Sequence, residues 1–286
     1  MKASLWETLR RTYESSCGLL DTLGGLDRMI TQIHATLDDV GNCKKDGICA
    51  VAGYVAYKEA WNKFNWRWMM SLQQLNMESL HTARYLHDFP LVGGKLDDEA
   101  ICLILAPFIG AVRESLIEEG AYPVSVITEC KAYDMLTDKE KKYIRPPEEH
   151  SFEVAVMLAA GAIRSSVAIS DWVSVQMDES DNADMLYKRY RTLKVANAEY
   201  RDHLSSLCFC DDRRHPPVQA ADMLANVLLK MWRGVNTDGP LPRCFQQLAT
   251  MRDGTLPRTH IHFNEERLKR LAALRMQQKE KLALPQ

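Results

Sequence analysis

The stretch MITQIHATLDDVGNCKKDGICAVAGYVAY, residues 29 to 57, decides the fold. Its first part, MITQIHATLDD, has the composition of a β-strand, and ICAVAGYVAY is a second strand rich in Val, Ala and Tyr. Gly41 and Gly47 lie between the two and favour a turn. We therefore predict a β-hairpin in which two adjacent aspartates, Asp38 and Asp39, end the first strand.

Helical and strand patterns alternate after this hairpin. Trp61, Phe64 and Trp68 recur at helical spacing and predict a long helix whose aromatic stripe belongs to the core. Further helices are predicted over residues 99–118, 151–169, 182–200 and 216–232, and further strands over 122–129, 171–177 and 204–212. The polar, proline-broken segment 137–150 is expected to be an exposed connection. This alternation is typical of an α/β protein.

The two ends of the chain carry helical patterns of their own. Residues 4–23 place apolar side chains at steps of three and four, which predicts a leading helix. The segment 257–286 holds a short leucine row among charges and predicts a helix that packs on the domain or pairs with another copy of the chain. We expect one domain over residues 1–256 and a charged helical tail that offers a route to a homo-oligomer.

Composition limits the partners that the chain can meet. Its 36 basic and 38 acidic residues give a net charge of -2, so no global field attracts it to nucleic acid or an anionic membrane. The eight cysteines include no CxxC pair, and we interpret them as small apolar side chains in a reducing compartment. No signal peptide is recognisable, and no apolar run approaches the ~20 residues that cross a bilayer. We expect a cytoplasmic protein that does not enter a membrane.

Acidic residues recur at three places that could meet in the fold. Asp38 and Asp39 follow the first strand, Asp178 and Glu179 follow a central strand, and Asp222 lies in an otherwise apolar helix. Each strand-end pair by itself also fits a solvated turn, but an unpaired aspartate on a buried helix face is costly. Converging carboxylates repel one another unless divalent cations lie between them, and hard oxygen ligands suit Mg²⁺ or Mn²⁺. Two such ions are a standard device for cleaving phosphodiesters.

The order of these residues resembles a known family. LDDVGN, AVAGYVAYKEAWNKFNWRWMMSL, the Leu-His pair ending at His81, a strand ending in Asp178 and the closing HPPVQAADMLA are similar to the prokaryotic family catalogued as domain of unknown function 3800. The resemblance covers roughly residues 30–235. Members open with an Asp-Glu-Ser-Gly turn and close with a Leu-Gln-x-Ala-Asp helix. Here Asp39, Val40 and Val218 replace the glutamate, the serine and the leucine.

The resemblance implies a ribonuclease-H-like fold, in which a mixed sheet is flanked by helices and acidic residues bind two divalent ions. It assigns Asp38, Asp178 and Asp222 as catalytic residues and as ligands of two Mg²⁺ or Mn²⁺ ions. Asp39 is predicted as a further ligand, with Glu179 as the open alternative. The implied function is a metal-dependent nuclease that acts on RNA or DNA.

Three further side chains are candidates for positioning the substrate. His81 matches a histidine that is frequent in the family, although a lone histidine is more often an ordinary hydrogen-bonding residue. Lys188 and Arg189 lie on a basic helix that could contact phosphate. The charged loop from Asp211 to His215 could do the same, or its charges could simply pair with each other. A non-catalytic interaction or regulatory protein, and an integrase or transposase, stay open as alternative functions.

Overall fold

The structure is a computed structural model, and it describes residues 32–83, 90–91, 94–95, 97–164, 172–180, 182–196, 201, 203–233 and 239–283. The leading helix predicted over residues 4–23 lies outside these ranges. Within them the chain forms a mixed six-stranded sheet with helices on both faces, which confirms the predicted α/β class.

The predicted hairpin forms the middle of the sheet. The strands are β1 (Gln32–Val40), β2 (Ile48–Tyr57), β3 (Pro90–Leu91), β4 (Gly94–Lys95), β5 (Tyr122–Glu129), β6 (Trp172–Asp178), β7 (Leu204–Cys210) and β8 (His260–Phe263). The order in the main sheet is β7-β6-β1-β2-β5-β8, and β3 and β4 form a small hairpin of their own. β2 runs antiparallel to β1 and β5, whereas β6 is parallel to β1 and β7 is parallel to β6.

Nine α-helices lie among the described residues. They are α1 (Lys58–Gln74), α2 (Asp98–Val112), α3 (Cys130–Asp134), α4 (Asp138–Lys141), α5 (Pro147–Arg164), α6 (Ala183–Ala196), α7 (Pro216–Trp232), α8 (Pro240–Ala249) and α9 (Glu265–Ala283). The segment 137–150, predicted as a plain connection, contains α4 and the first turn of α5. Thr137 caps α4 by a reciprocal bond with Glu140, and prolines begin α5, which suits the first turn of a helix.

The sheet separates two hydrophobic cores. One core lies under α1, α2, α7 and α8, and the other lies under α5, α6 and α9. Successive side chains of a strand point to opposite faces, so Leu37 enters the second core while Asp38 faces the first. Helix α7 is buried over its whole middle, from Pro217 to Leu229, because it packs against β1 and β2.

The carboxy-terminal segment is part of this domain. β8 pairs in parallel with β5, so the predicted purely helical tail missed an edge strand, and the division at residue 256 does not mark an edge of the sheet. Leu268 and Ala272 of α9 are fully buried. Arg275 donates to the Tyr143 carbonyl over 2.9 Å. Of the two predicted options for this helix, the structure shows packing on the domain.

One helical segment of the described residues, Asp98–Ile117, is long and apolar enough by length and composition to cross a bilayer, and half of it is buried in the protein. Asp98 and Glu99 begin this segment and Arg113 and Glu114 lie within it, so its run without charged residues covers only 100–112. A core helix of a globular domain meets the same criterion. The absence of a membrane segment therefore stays a prediction.

Candidate metal centre

Strand register brings Asp38 and Asp178 together. β1 and β6 are parallel neighbours, and Leu37 is paired with Met177. Asp38 and Asp178 each follow this pair by one residue, so they occupy adjacent positions on strands about 4.8 Å apart. Leu37 and Met177 both enter the core under α5, and the two aspartates consequently face the other side, towards α7.

Helix α7 brings the third predicted aspartate to the same place. Asp222 and Asp38 are both buried, with 6% and 7% of their surface exposed. Burial raises the pKa of Asp38 well above its usual range, and the charges of Asp222, Asp39 and Asp178 raise it further. Burial also raises the pKa of Asp222. The three aspartates that the sequence analysis named as catalytic therefore form one electrostatic cluster.

The carboxylate of Asp222 is held at both of its oxygens. The backbone N–H of Thr82 donates to Oδ2 over 2.8 Å. Asn226, one helical turn further along α7, donates from Nδ2 to Oδ1 over 2.7 Å. These bonds favour the ionised form and oppose the effect of burial. They fix the orientation of the carboxylate while each oxygen keeps further capacity to bind a cation.

The structure adds Asp212, which was predicted only as part of a charged loop that contacts phosphate or pairs with itself. Asp212 begins a 3₁₀ turn (Asp212–Arg214) directly after β7. Burial, followed by the charge of Asp212, raises the pKa of Asp178 to about 6. Its position is the signal that was missed: β7 is the parallel neighbour of β6, so residues that follow the two strands meet at one edge of the sheet.

His81 belongs to this cluster as well. Its Nδ1 lies 2.9 Å from Oδ2 of Asp212, and its charge favours the ionised form of Asp222. Gln219 of α7 holds both loops in place, since its Oε1 accepts from the Leu80 N–H and its Nε2 donates to the Asp212 carbonyl. The structure thus places His81 beside the acidic cluster, and its role in positioning substrate stays a prediction.

Asp39 lies on the other face of the sheet. It is exposed and lines a cleft together with Cys49 of β2 and Glu148 of α5. Because side chains alternate along β1, Asp39 cannot face α7 while Asp38 does. Glu179 is also exposed, and its backbone N–H donates to Oδ1 of Asp178. The charge of Asp39 acts on Asp38, but its side chain does not face α7, which argues against the predicted ligand.

The predicted phosphate contacts of α6 require correction. Arg189 forms an ion pair with Glu153 of α5, which also pairs with Arg275 over 3.0 Å. Only 11% of the Arg189 side chain is exposed, so the prediction that it positions substrate is wrong. Lys188 is exposed, but α6 covers the face opposite to Asp222. Arg189 therefore points inwards, and Lys188, although exposed, lies on the face of the sheet opposite to Asp222.

Two residues of the loop before α7 follow the alternative prediction that its charges pair with each other, whereas Asp212 joins the cluster. Arg213 pairs with Asp211, with Nε of the arginine 3.0 Å from Oδ1 of the aspartate. These two side chains therefore neutralise each other at the surface. The pair adds little stability at such an exposed position.

The donor set of the cluster fits hard divalent cations. Within the described part of the chain, neither Asp38 nor Asp222 forms an ion pair with a lysine or an arginine. Their oxygens and that of Asp178 are not all within 4.8 Å of one another, so the three are not gathered around one point. A site with two ions about 4 Å apart does not require all of its ligands to surround a single point. Buried carboxylates of like charge without a cationic side chain suit Mg²⁺ or Mn²⁺.

Comparison with known proteins does not identify a family for this chain. No family model matches the chain, and no curated protein matches it at a significant level. The resemblance to domain of unknown function 3800 and the cytoplasmic location consequently stay predictions.

Proposed function

We propose that this protein is a metal-dependent nuclease that cleaves RNA or DNA, with two Mg²⁺ or Mn²⁺ ions held by Asp38, Asp178 and Asp222. One observation carries the proposal. Asp38 of β1 and Asp222 of α7 are buried, the charge of Asp222 disfavours the ionised form of Asp38, and no lysine or arginine of the described residues pairs with either. Bound divalent ions would allow both to ionise inside the fold.

We further propose that the sheet is ribonuclease-H-like, with β8 as an added edge strand. In support, the acidic residues stand on the elements that the family resemblance implies. Asp38 lies on the first strand, Asp178 on the strand beside it, and Asp222 on the closing helix. Because β1 pairs with β6, two of these carboxylates lie side by side on neighbouring strands.

The chain's own residues would orient the site. Thr82 and Asn226 hold the Asp222 carboxylate in one rotamer, so a bound cation would meet ligands that are already arranged. When bound, two such ions activate the attacking water and stabilise the leaving oxygen of a phosphodiester. Preorganised ligands matter because ions that shift by an ångström lose the in-line geometry.

His81 would contact the substrate or the water beside it. The bond between its Nδ1 and Asp212 fixes the ring, and 40% of the side chain is exposed. Its second nitrogen, Nε2, can then donate to a phosphate oxygen or exchange a proton with water. Gln219 supports this role because it bonds to the backbone on both sides of the His81–Asp212 pair.

The experiment compares two adjacent residues of one strand. Labelled RNA, DNA and RNA–DNA hybrids are incubated with Mg²⁺ or Mn²⁺ and with the wild type, Asp38→Asn or Asp39→Asn. We expect Asp38→Asn to lower the cleavage rate by roughly 100-fold or more, since it removes a ligand next to the reacting phosphate. Asp39→Asn makes the same chemical change on the opposite face and should leave the rate within a few-fold of the wild type.

Two outcomes would count against the nuclease. If the wild type cleaves no substrate with either metal, the non-catalytic alternative is favoured. If both variants lose activity equally, the face of the sheet does not matter and the assignment of the site fails.

A further inference from the structure

A second cluster lies at the same end of the sheet, on the face opposite to Asp222. Cys43 stands in the turn of the central hairpin, Cys49 on β2, and Cys130 begins α3. Cys43 and Cys130 form a disulfide across 87 residues of sequence. The interpretation of all eight cysteines as separate small apolar side chains is therefore wrong for these three.

The third sulfur lies close to both partners of the disulfide. Sγ of Cys49 is 3.6 Å from that of Cys43 and 3.9 Å from that of Cys130. Tetrahedral zinc with Zn–S bonds of about 2.3 Å separates neighbouring sulfurs by about 3.8 Å. Two of the three sulfur separations already match this geometry, and the third would match if the disulfide opened.

We propose that the reduced form of this cluster binds one Zn²⁺ ion through Cys43, Cys49 and Cys130. While the Cys43–Cys130 disulfide is present, the cluster does not bind the ion. Among the described residues, these three side chains form the one group of three or more His, Cys, Asp or Glu whose ligand atoms all lie within 4.8 Å of one another. Sulfur ligands select zinc over the hard cations that suit carboxylates.

Glu148 of α5 would supply the fourth ligand. The pKa of the Cys49 thiol is raised by burial and then by the Glu148 carboxylate, and both residues line the cleft that Asp39 borders. Zinc accepts a carboxylate oxygen in a tetrahedral set. Lys44 and Lys45 stand directly after Cys43 in the turn, and their charges offset part of the negative charge of the thiolates.

The burial of the sulfurs suits a structural site. Cys49 is 3% exposed and Cys130 is 5% exposed, so water reaches the ion mainly from the side of Cys43 and Glu148. The ion would connect three elements: the hairpin, the end of β5, and α5. The disulfide and the contacts of Cys49 connect the same three elements. Zinc and the disulfide therefore do the same structural task in two redox states.

The two forms interconvert by a balanced two-electron step. A dithiol reductant supplies two electrons and two protons to the Cys43–Cys130 bond and becomes a disulfide itself, leaving two thiols on the protein. Zinc then displaces the protons of the three thiols. In the reverse direction a two-electron oxidant re-forms the disulfide, and the ion leaves because two of its thiolates are consumed.

The first test is a cobalt titration. Protein reduced with a phosphine and freed of metal is titrated with Co²⁺, and we expect one ion per chain with thiolate-to-cobalt charge-transfer absorption that Zn²⁺ abolishes. Cys49→Ser and Cys130→Ser should lose that absorption, while Cys208→Ser, an exposed cysteine outside the cluster, should keep it. Absorption that survives in Cys49→Ser, or its absence from the reduced wild type, would overturn the proposal.

The second test needs no variant and no measurement of nuclease activity. Zinc-loaded wild type is oxidised with diamide, a diazene that takes up two electrons and two protons. We expect one Zn²⁺ to be released for each Cys43–Cys130 disulfide found by peptide mapping. Zinc retained in chains that carry this disulfide, or released without it, would contradict the mutually exclusive forms.

Discussion

The two faces of one end of the sheet differ in the atoms that they present. The face under α7 gathers the oxygens of Asp38, Asp178 and Asp222. The face under α5 gathers the sulfur of Cys49 with the Cys43–Cys130 disulfide. The boundary between them passes between adjacent residues of β1, because Asp38 and Asp39 point to opposite sides. Closeness in sequence therefore does not predict a shared site in a strand, and one sheet end can hold two sites of different chemistry.

The largest expected difference between the faces is in their response to hard cations. Mg²⁺ at about 100 times its Kd should raise the free energy of unfolding by about 2.7 kcal/mol, since it binds the folded state alone. Asp222→Asn should abolish this gain, whereas Cys49→Ser, on the other face, should retain it. Thermal unfolding with and without Mg²⁺ measures the effect. Equal loss in both variants would mean that the two faces are not separate sites.

A smaller effect should come from a residue that only orients a ligand. Asn226→Ala removes the bond to Oδ1 of Asp222 without removing a carboxylate. We expect the affinity for Mg²⁺ to fall by about 10- to 100-fold, as for other outer-shell partners of metal ligands. Calorimetric titration of Mg²⁺ gives the affinity directly. An unchanged affinity in a folded variant would remove the positioning role of Asn226.

The smallest effect concerns pH in the absence of metal. The pKa of Asp178 rises from 3.8 to about 6 on folding, so between these values the folded protein holds a proton that the unfolded chain has released. The free energy of unfolding should consequently fall as the pH rises through this window, by about 1 kcal/mol after allowance for the partial exposure of the group. Denaturant unfolding at several pH values measures it.

The matched control for this prediction is Asp178→Asn, which should reduce the pH dependence within that window and leave the part that comes from Asp38 and Asp222, whose pKa values are also raised. Saturating Mg²⁺ should reduce the pH dependence too, because the ion favours the ionised carboxylate. If the wild type instead gained stability from pH 4 to 6 through this residue, the carboxylates of the cluster would be paired with cations and would not raise one another's pKa.

Much of the architecture could be read from local patterns. The Val, Ala and Tyr content of residues 48–57 and the alternation in 122–129 predicted β2 and β5 at their observed bounds. The apolar run that prolines open predicted α7 at 216–232. Such patterns are reliable because a strand or helix that packs on a core must repeat with the period of its backbone. An aspartate in the middle of a helix that is buried all round likewise marked Asp222 as unusual before any neighbour was known.

The site needed the tertiary structure. The sequence orders Asp38, Asp178 and Asp222 but does not say which strands adjoin, and the pairing of β1 with β6 is what sets the first two side by side. His81 and Asp212 meet across 131 residues. Arg189 points inwards because it pairs with Glu153 of α5, and the sequence pattern of α6 alone does not reveal this partner.

By itself the sequence determined the class of the fold, the central hairpin and the unusual position of Asp222, since these follow from backbone periodicity and the cost of burying charge. The choice of Asp38 and Asp178 rested on the family resemblance. Only the tertiary structure decided that Asp39 leaves the cluster, that Asp212 and His81 join it, and that three cysteines meet behind it. The physical reason is that strand order and the pleat of the sheet fix which distant residues face each other, and both are settled by packing over the whole domain.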